Sequence, residues 1–205
     1  MSSYTEMFAP LRALMADGTL PGPHVVFASR FSTPGGHGAE SGMGETITTE
    51  VSTPQSVHPA MRRILPYKPD AIKAFTDGWR YGVTPSLSSM NQETVSAIVH
   101  DAHSAGIIVV SHTVTLGGAK IAARAGVDVI DHGIGDLPAD AELISLLKQH
   151  DNHYGFTLST YEPKNLTDPP PSLTAILDPP TLLLARHPPA APVIEAGPSE
   201  ARLER

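Results

Sequence analysis

The sequence predicts an α/β fold built from parallel strands, and three observations carry that prediction. From Asp70 to Tyr161, short apolar β-branched runs alternate with longer helical patterns, the signature of repeated βα units. One of those runs, Ile107-Ile108-Val109-Val110, is apolar throughout, as expected of a strand covered on both faces rather than half-exposed to water. The chain has 205 residues, 40% hydrophobic and 17% charged, which suits a domain large enough to hold a core unaided. It contains no Cys, which removes disulfides, thiolate metal sites and Cys nucleophiles together.

Taken in order, Val25-Val26-Phe27-Ala28-Ser29 is the first predicted strand. A Gly-rich loop, Pro34-Gly35-Gly36-His37-Gly38, follows it and continues to about Glu50. Ala71-Ile72-Lys73-Ala74-Phe75 is the next strand, ended by the turn pair Asp77-Gly78, and a long loop through Trp79-Arg80-Tyr81-Gly82 follows. Ser89 with Gln92 three residues later reads as a capping box, and Val95, Ile98, Val99 and Ala102 recur behind it with helical spacing. That helix stops at Ala105-Gly106. Ile107 to Val110 is then a strand finishing in Ser111-His112-Thr113, and a short helix from Ala119 to Ala125 leads to Gly126. Val127 to Gly133 is the next strand, Pro138 to Gln149 the helix after it, and Gly155 to Tyr161 the last strand. After Tyr161 lie ten of the chain's 20 prolines, a density that prevents regular helix or central strand. The expected division is a folded domain over 1–162 and a Pro-rich irregular tail over 163–205.

Charge and hydropathy narrow the function classes. A net charge of −7, with Arg62-Arg63 the one basic pair, argues against a nucleic-acid partner. No stretch approaches the roughly 20 apolar residues of a membrane span, so a cytoplasmic protein acting on small molecules is expected.

Three residues stand at equivalent places in consecutive βα units: Lys73 within one strand, His112 at the end of the next, and His132 at the end of the one after. Side chains at the C-terminal ends of parallel strands converge on a common site. Two neutral imidazoles with a basic or modified lysine suit one or two divalent ions. The plainer alternatives are a solvent-facing lysine on an edge strand and two hydrogen-bonded strand-end histidines. His37 either approaches a substrate from the rim or sits in a surface loop. Arg80 either clamps a substrate carboxylate, with Tyr81 and Trp79 as a pocket wall, or packs within its loop. His100 and His103 lie beside the packed stripe of their helix and are expected to pack structurally or face solvent. Gly117-Gly118 reads as ordinary helix entry rather than an anion site.

The segments Thr33-Pro34-Gly35-Gly36-His37-Gly38, Asp70-Ala71-Ile72-Lys73, Ala102-His103-Ser104-Ala105-Gly106, Val110-Ser111-His112 and Ala125 through Gly133 resemble the amidohydrolase superfamily in order and spacing. The resemblance is to its imidazolonepropionase-like and Xaa-Pro dipeptidase-like branch, over about residues 20–162. It implies part of a (β/α)8 TIM-barrel-like fold. It also implies a carboxylated lysine at Lys73 bridging metals and histidine ligands at His112 and His132, with zinc as the expected ion. The implied reaction is hydrolysis of an amide, cyclic amide or dipeptide bond by metal-activated hydroxide.

The sequence departs from that family in two places. No His-x-His pair occurs, and Asp168 and Asp178 lie among prolines rather than at a strand end, so neither replaces the family's last-strand Asp. Five or so strands also fall short of a closed barrel of about 250 residues. The expectation is therefore an incomplete barrel. It is either a metal-dependent hydrolase or a non-catalytic remnant, and its open sheet edges are expected to favour homo-oligomers.

Overall fold

In the computed structural model, residues 5–39, 47–78 and 88–157 are described. The chain divides into two units, Met1–Phe156 and Thr157–Arg205, and all the described strands and helices belong to the first. Helix α1 (Thr5–Ala16) leads to strand β1 (Ala28–Ser32), β2 (Thr48–Glu50), helix α2 (Pro54–Ile64) and a 3₁₀ turn, Leu65–Tyr67. Next come β3 (Ala71–Phe75), α3 (Gln92–Ser104), β4 (Ile108–His112), α4 (Leu116–Ala125), β5 (Val129–Asp131), α5 (Ala141–His150) and β6 (His153–Gly155). The strands form a single parallel sheet in the order β2-β1-β3-β4-β5-β6, the α/β architecture of a partial barrel. Among the described residues no helix is long and apolar enough to cross a membrane.

Alternation along the strands sorts the two faces. Phe31, Ile72, Ala74, Val109 and Ile130 are buried in one cluster with Val57 and Met61 of α2, Val95, Ile98 and Ala102 of α3, Ala119 and Ala122 of α4, and Leu143 of α5. Each fully buried Val, Ile or Leu side chain there contributes about 1.5–3 kcal/mol against exposure, so this helix-covered face holds the fold together. Lys73, between Ile72 and Ala74, therefore points to the opposite face. Its strand lies between β1 and β4, which corrects the edge-strand alternative.

Several boundaries differ from expectation. The first strand lies at Ala28–Ser32 rather than Val25–Ser29, because its pairing with β3 begins at Ala28 and Val26 is exposed. The long connection to Glu50 contains β2, and α2 follows without having been anticipated. The cap of α3 is Asn91, whose side chain accepts the Thr94 N–H, and not Ser89. Ser89 Oγ instead accepts the Gly78 N–H at 2.9 Å, which ties down the loop end after β3. The last described strand is His153–Gly155, paired with Val129–Asp131, and so ends where the expected one begins. Residues 158–161 of the expected strand lie outside the described residues. Gly106 and Gly126 terminate α3 and α4 in left-handed backbone, as their positions predict.

The N-terminal end of the sheet is closed by carboxylates. Asp70, just before β3, accepts the Phe27 N–H at 2.9 Å, and Asp128, just before β5, accepts the Val109 N–H at 2.7 Å. Asp128 also pairs with His103 Nε2 at 2.8 Å, while Asp101 receives both His100 and His58. His100 and His103 are exposed, each hydrogen-bonded to a carboxylate.

Candidate functional site

The site forms at the C-terminal end of the sheet, on the face away from the helices. Strand register sets it in two rows. Arg30, Lys73, Val110 and Val129 stand side by side across β1, β3, β4 and β5. One layer nearer the strand ends, Phe75 pairs with His112, His112 with Asp131, and Asp131 with Gly155.

Above these rows the imidazoles gather. The His112 ring lies 4.7 Å from that of His132 and 4.3 Å from that of His37, and 5.3 Å from the Phe75 ring. His37 stands edge-on to Phe75 at 5.2 Å, and its carbonyl accepts from Ser32 Oγ at 2.7 Å. The Gly-rich loop is thereby drawn into the cluster. Gly38 permits this: its φ is +88°, and a Cβ there would stand 2.8 Å from both Arg30 Nη2 and the Phe75 ring. The Arg30 guanidinium lies over the Phe75 ring, 4.9 Å from its centroid, and donates to the Gly38 carbonyl.

Lys73 binds Asp131, Nζ to Oδ2 at 2.5 Å, and its side chain is mostly buried. Burial lowers the Lys73 pKa, with the Asp131 bond opposing that shift. Gly155 makes room for the carboxylate, since a Cβ there would meet Asp131 Oδ1 at 2.7 Å.

The imidazoles of His112 and His132 are driven toward the neutral form. Burial pushes His112 down to about 2, with the charges of His37, His132, Lys73 and Arg30 acting in the same direction. Burial and the Lys73 charge also lower His132, against the pull of Asp131. His132 adopts φ +79°, uncommon for a non-glycine residue, and its N–H donates to the Gly155 carbonyl at 2.7 Å.

Sequence reasoning missed Asp77, reading it only as a turn residue. It is buried two residues past β3, and its Oδ2 accepts from Val114 N, Thr115 N and Thr115 Oγ1. Burial raises its pKa to about 6, against those hydrogen bonds. The spacing that finds Lys73 also reaches Asp77, four residues further along the chain and at the same end of the sheet.

Lys73, His112, His132 and His37 are therefore brought together, whereas Arg80 and Tyr81 lie outside the described residues. Two adjacent neutral imidazoles are the donor chemistry a divalent cation requires, and His132 Nδ1 is buried without a hydrogen bond. Lys73 fits such a site as an anionic carbamate and opposes it as an ammonium. Among the described residues no cluster of three or more His, Asp or Glu side chains is arranged to hold a metal, so the fit rests on the imidazole pair.

No family model matches the sequence, and no curated protein matches it. Solved structures do. A Xaa-Pro dipeptidase with methionine bound in its active site is 26% identical with a TM-score of 0.62, covering 82% of this chain and 42% of its own. A prolidase complexed with N-methylphosphonate-L-proline is 22% identical with a TM-score of 0.61, over 92% of this chain and 47% of its own. An amidohydrolase is 24% identical with a TM-score of 0.58, over 71% and 39%. The chain spans less than half the length of these structures. The resemblance carried by the sequence motifs is thus met in three dimensions, over part of a barrel.

Proposed function

We propose that the chain carries part of the active site of a metal-dependent hydrolase acting on carbon–nitrogen bonds in small amides, cyclic amides or dipeptides. The observation that carries this reading is the meeting of the His112 and His132 rings at the C-terminal ends of β4 and β5, with Lys73 one row below on the same face of β3. The dipeptide class draws support from the methionine and proline ligands of the similar structures. With His112, His132 and a carbamylated Lys73 as ligands, a divalent ion, zinc by expectation, supplies carbonyl polarisation and a more acidic water.

The chain's own residues prepare that chemistry. Burial keeps both imidazoles unprotonated, leaving a lone pair on each ring. Asp131 pairs with the unmodified Lys73 ammonium, an ion pair that carbamylation would replace, and His37 and Phe75 pack their rings against His112. A second reading, a non-catalytic barrel remnant, is favoured by the lack of a third His, Asp or Glu donor among the described residues.

Elemental mass spectrometry of the zinc-supplemented full chain, followed by a panel of dipeptides and N-acyl amino acids, separates the two. The hydrolase reading expects about one or two ions per chain. It also expects zinc-dependent hydrolysis, with both metal and activity lost in His112→Ala. A chain that binds no zinc is the remnant.

A further inference from the structure

Asp77 is 4% exposed, and its two carboxylate oxygens have different surroundings. Oδ2 is saturated: it accepts from Val114 N at 2.7 Å, Thr115 N at 3.1 Å and Thr115 Oγ1 at 3.2 Å. The backbone is shaped around that oxygen, since a Cβ on Gly118 would stand 2.7 Å from it. Oδ1 is equally buried but takes no hydrogen bond, and it faces His112 Nε2 at 3.9 Å. A buried carboxylate oxygen without a donor keeps its full desolvation penalty, so a small rotation that brings an N–H to it is favoured. A carboxylate only accepts, and a neutral imidazole carries a single N–H. The partner that satisfies Oδ1 is therefore the His112 tautomer protonated at Nε2, which leaves the lone pair on Nδ1.

We propose that Asp77 is the positioning residue of His112, its Oδ1 taking the Nε2 proton and so fixing the tautomer and ring orientation that offer Nδ1 as a ligand. The significance for a metal rests on the hydrolase reading, whereas the tautomer itself does not. Carboxylates hydrogen-bonded to the far nitrogen of a ligand imidazole fix its orientation and raise its basicity.

The test is a long-range ¹H–¹⁵N correlation spectrum of the histidine rings in the metal-free full chain at pH 8, where the Asp77 carboxyl is ionised. The His112 signals are identified by their loss in His112→Gln. The wild-type ring is expected to carry its proton on Nε2. In Asp77→Asn the amide oxygen keeps the Val114 and Thr115 donors, its NH₂ faces Nε2, and the proton moves to Nδ1. Zinc affinity then falls about ten- to a hundredfold. Thr115→Val disturbs the same corner without touching Oδ1 and is expected to leave the proton on Nε2.

A wild-type proton on Nδ1, an unchanged tautomer in Asp77→Asn, or the same switch in Thr115→Val overturns the proposal. The wild-type spectrum decides alone if Asp77→Asn does not fold. A tautomer switch in a chain that never binds zinc sustains the role of Asp77 and defeats the hydrolase reading.

Discussion

His132 holds a backbone conformation that side chains with a Cβ rarely adopt, at φ +79°. The Gly155 carbonyl fixes it by accepting the His132 N–H, and the conformation brings the imidazole beside that of His112. Such a residue stores about 1–2 kcal/mol, which glycine would release. His132→Gly is therefore expected to be more stable than His132→Ala by about 1 kcal/mol in urea unfolding, although both lose the same ring. Equal stabilities would show that the backbone there carries no strain. Nothing in Asp131-His132-Gly133 announces this, since the adjacent glycine is the residue expected at the left-handed position. Asp77 was hidden in a similar way: Asp77-Gly78 reads locally as a turn, and its partners at Val114 and Thr115 are distant in sequence. Lys73 and His112, by contrast, were legible because one interrupts and the other ends an otherwise apolar strand.

At the scale of elements, caps decide what periodicity leaves open. The apolar stripe of α3 was visible in Val95, Ile98, Val99 and Ala102, all buried. Its first residue was not, because Ser89 and Asn91 are equally good caps and only the fold commits Ser89 to Gly78. Asn91→Ala is expected to lower stability by about 1 kcal/mol through loss of the Thr94 bond. Circular dichroism should show the loss in the helical signal during urea titration. A midpoint unchanged from wild type would remove Asn91 as the cap. Helix α2 did leave a signal, a capping Thr53 before Pro54 and buried Val57, Met61 and Ile64, obscured by Pro59 and the basic pair Arg62-Arg63. Strand β1 was misplaced because its own pattern is broken. Arg30 and Ser32 face the site and break the apolar pattern, so the run of valines before them attracted the assignment.

At the scale of the molecule, the α/β class was legible because three successive βα units repeat one grammar, while β2, three polar residues at a sheet edge, carries none of it. The buried histidines also tie overall stability to pH. An unfolded chain protonates His112 near 6.5, whereas the folded one resists until about 2. Between those values the unfolded state binds more protons, so stability is lost as pH falls through 6.5. For the metal-free chain this single residue is expected to remove about 2 kcal/mol between pH 8 and pH 5. Chemical denaturation of wild type against His112→Gln checks it: the variant should lose less on acidification, and parallel losses would discount His112.

The parallel sheet also separates two kinds of demand along a single axis. At its N-terminal end Asp70 and Asp128 satisfy backbone amides, and at its other end stand buried His112 and Asp77 with half-buried His37 and His132, the last in left-handed backbone. Variation at the second end can alter chemistry while the first end keeps the chain foldable. The demands of folding and the freedom to vary side chains thus occupy opposite ends of the same six strands, and one end can change without first renegotiating the core.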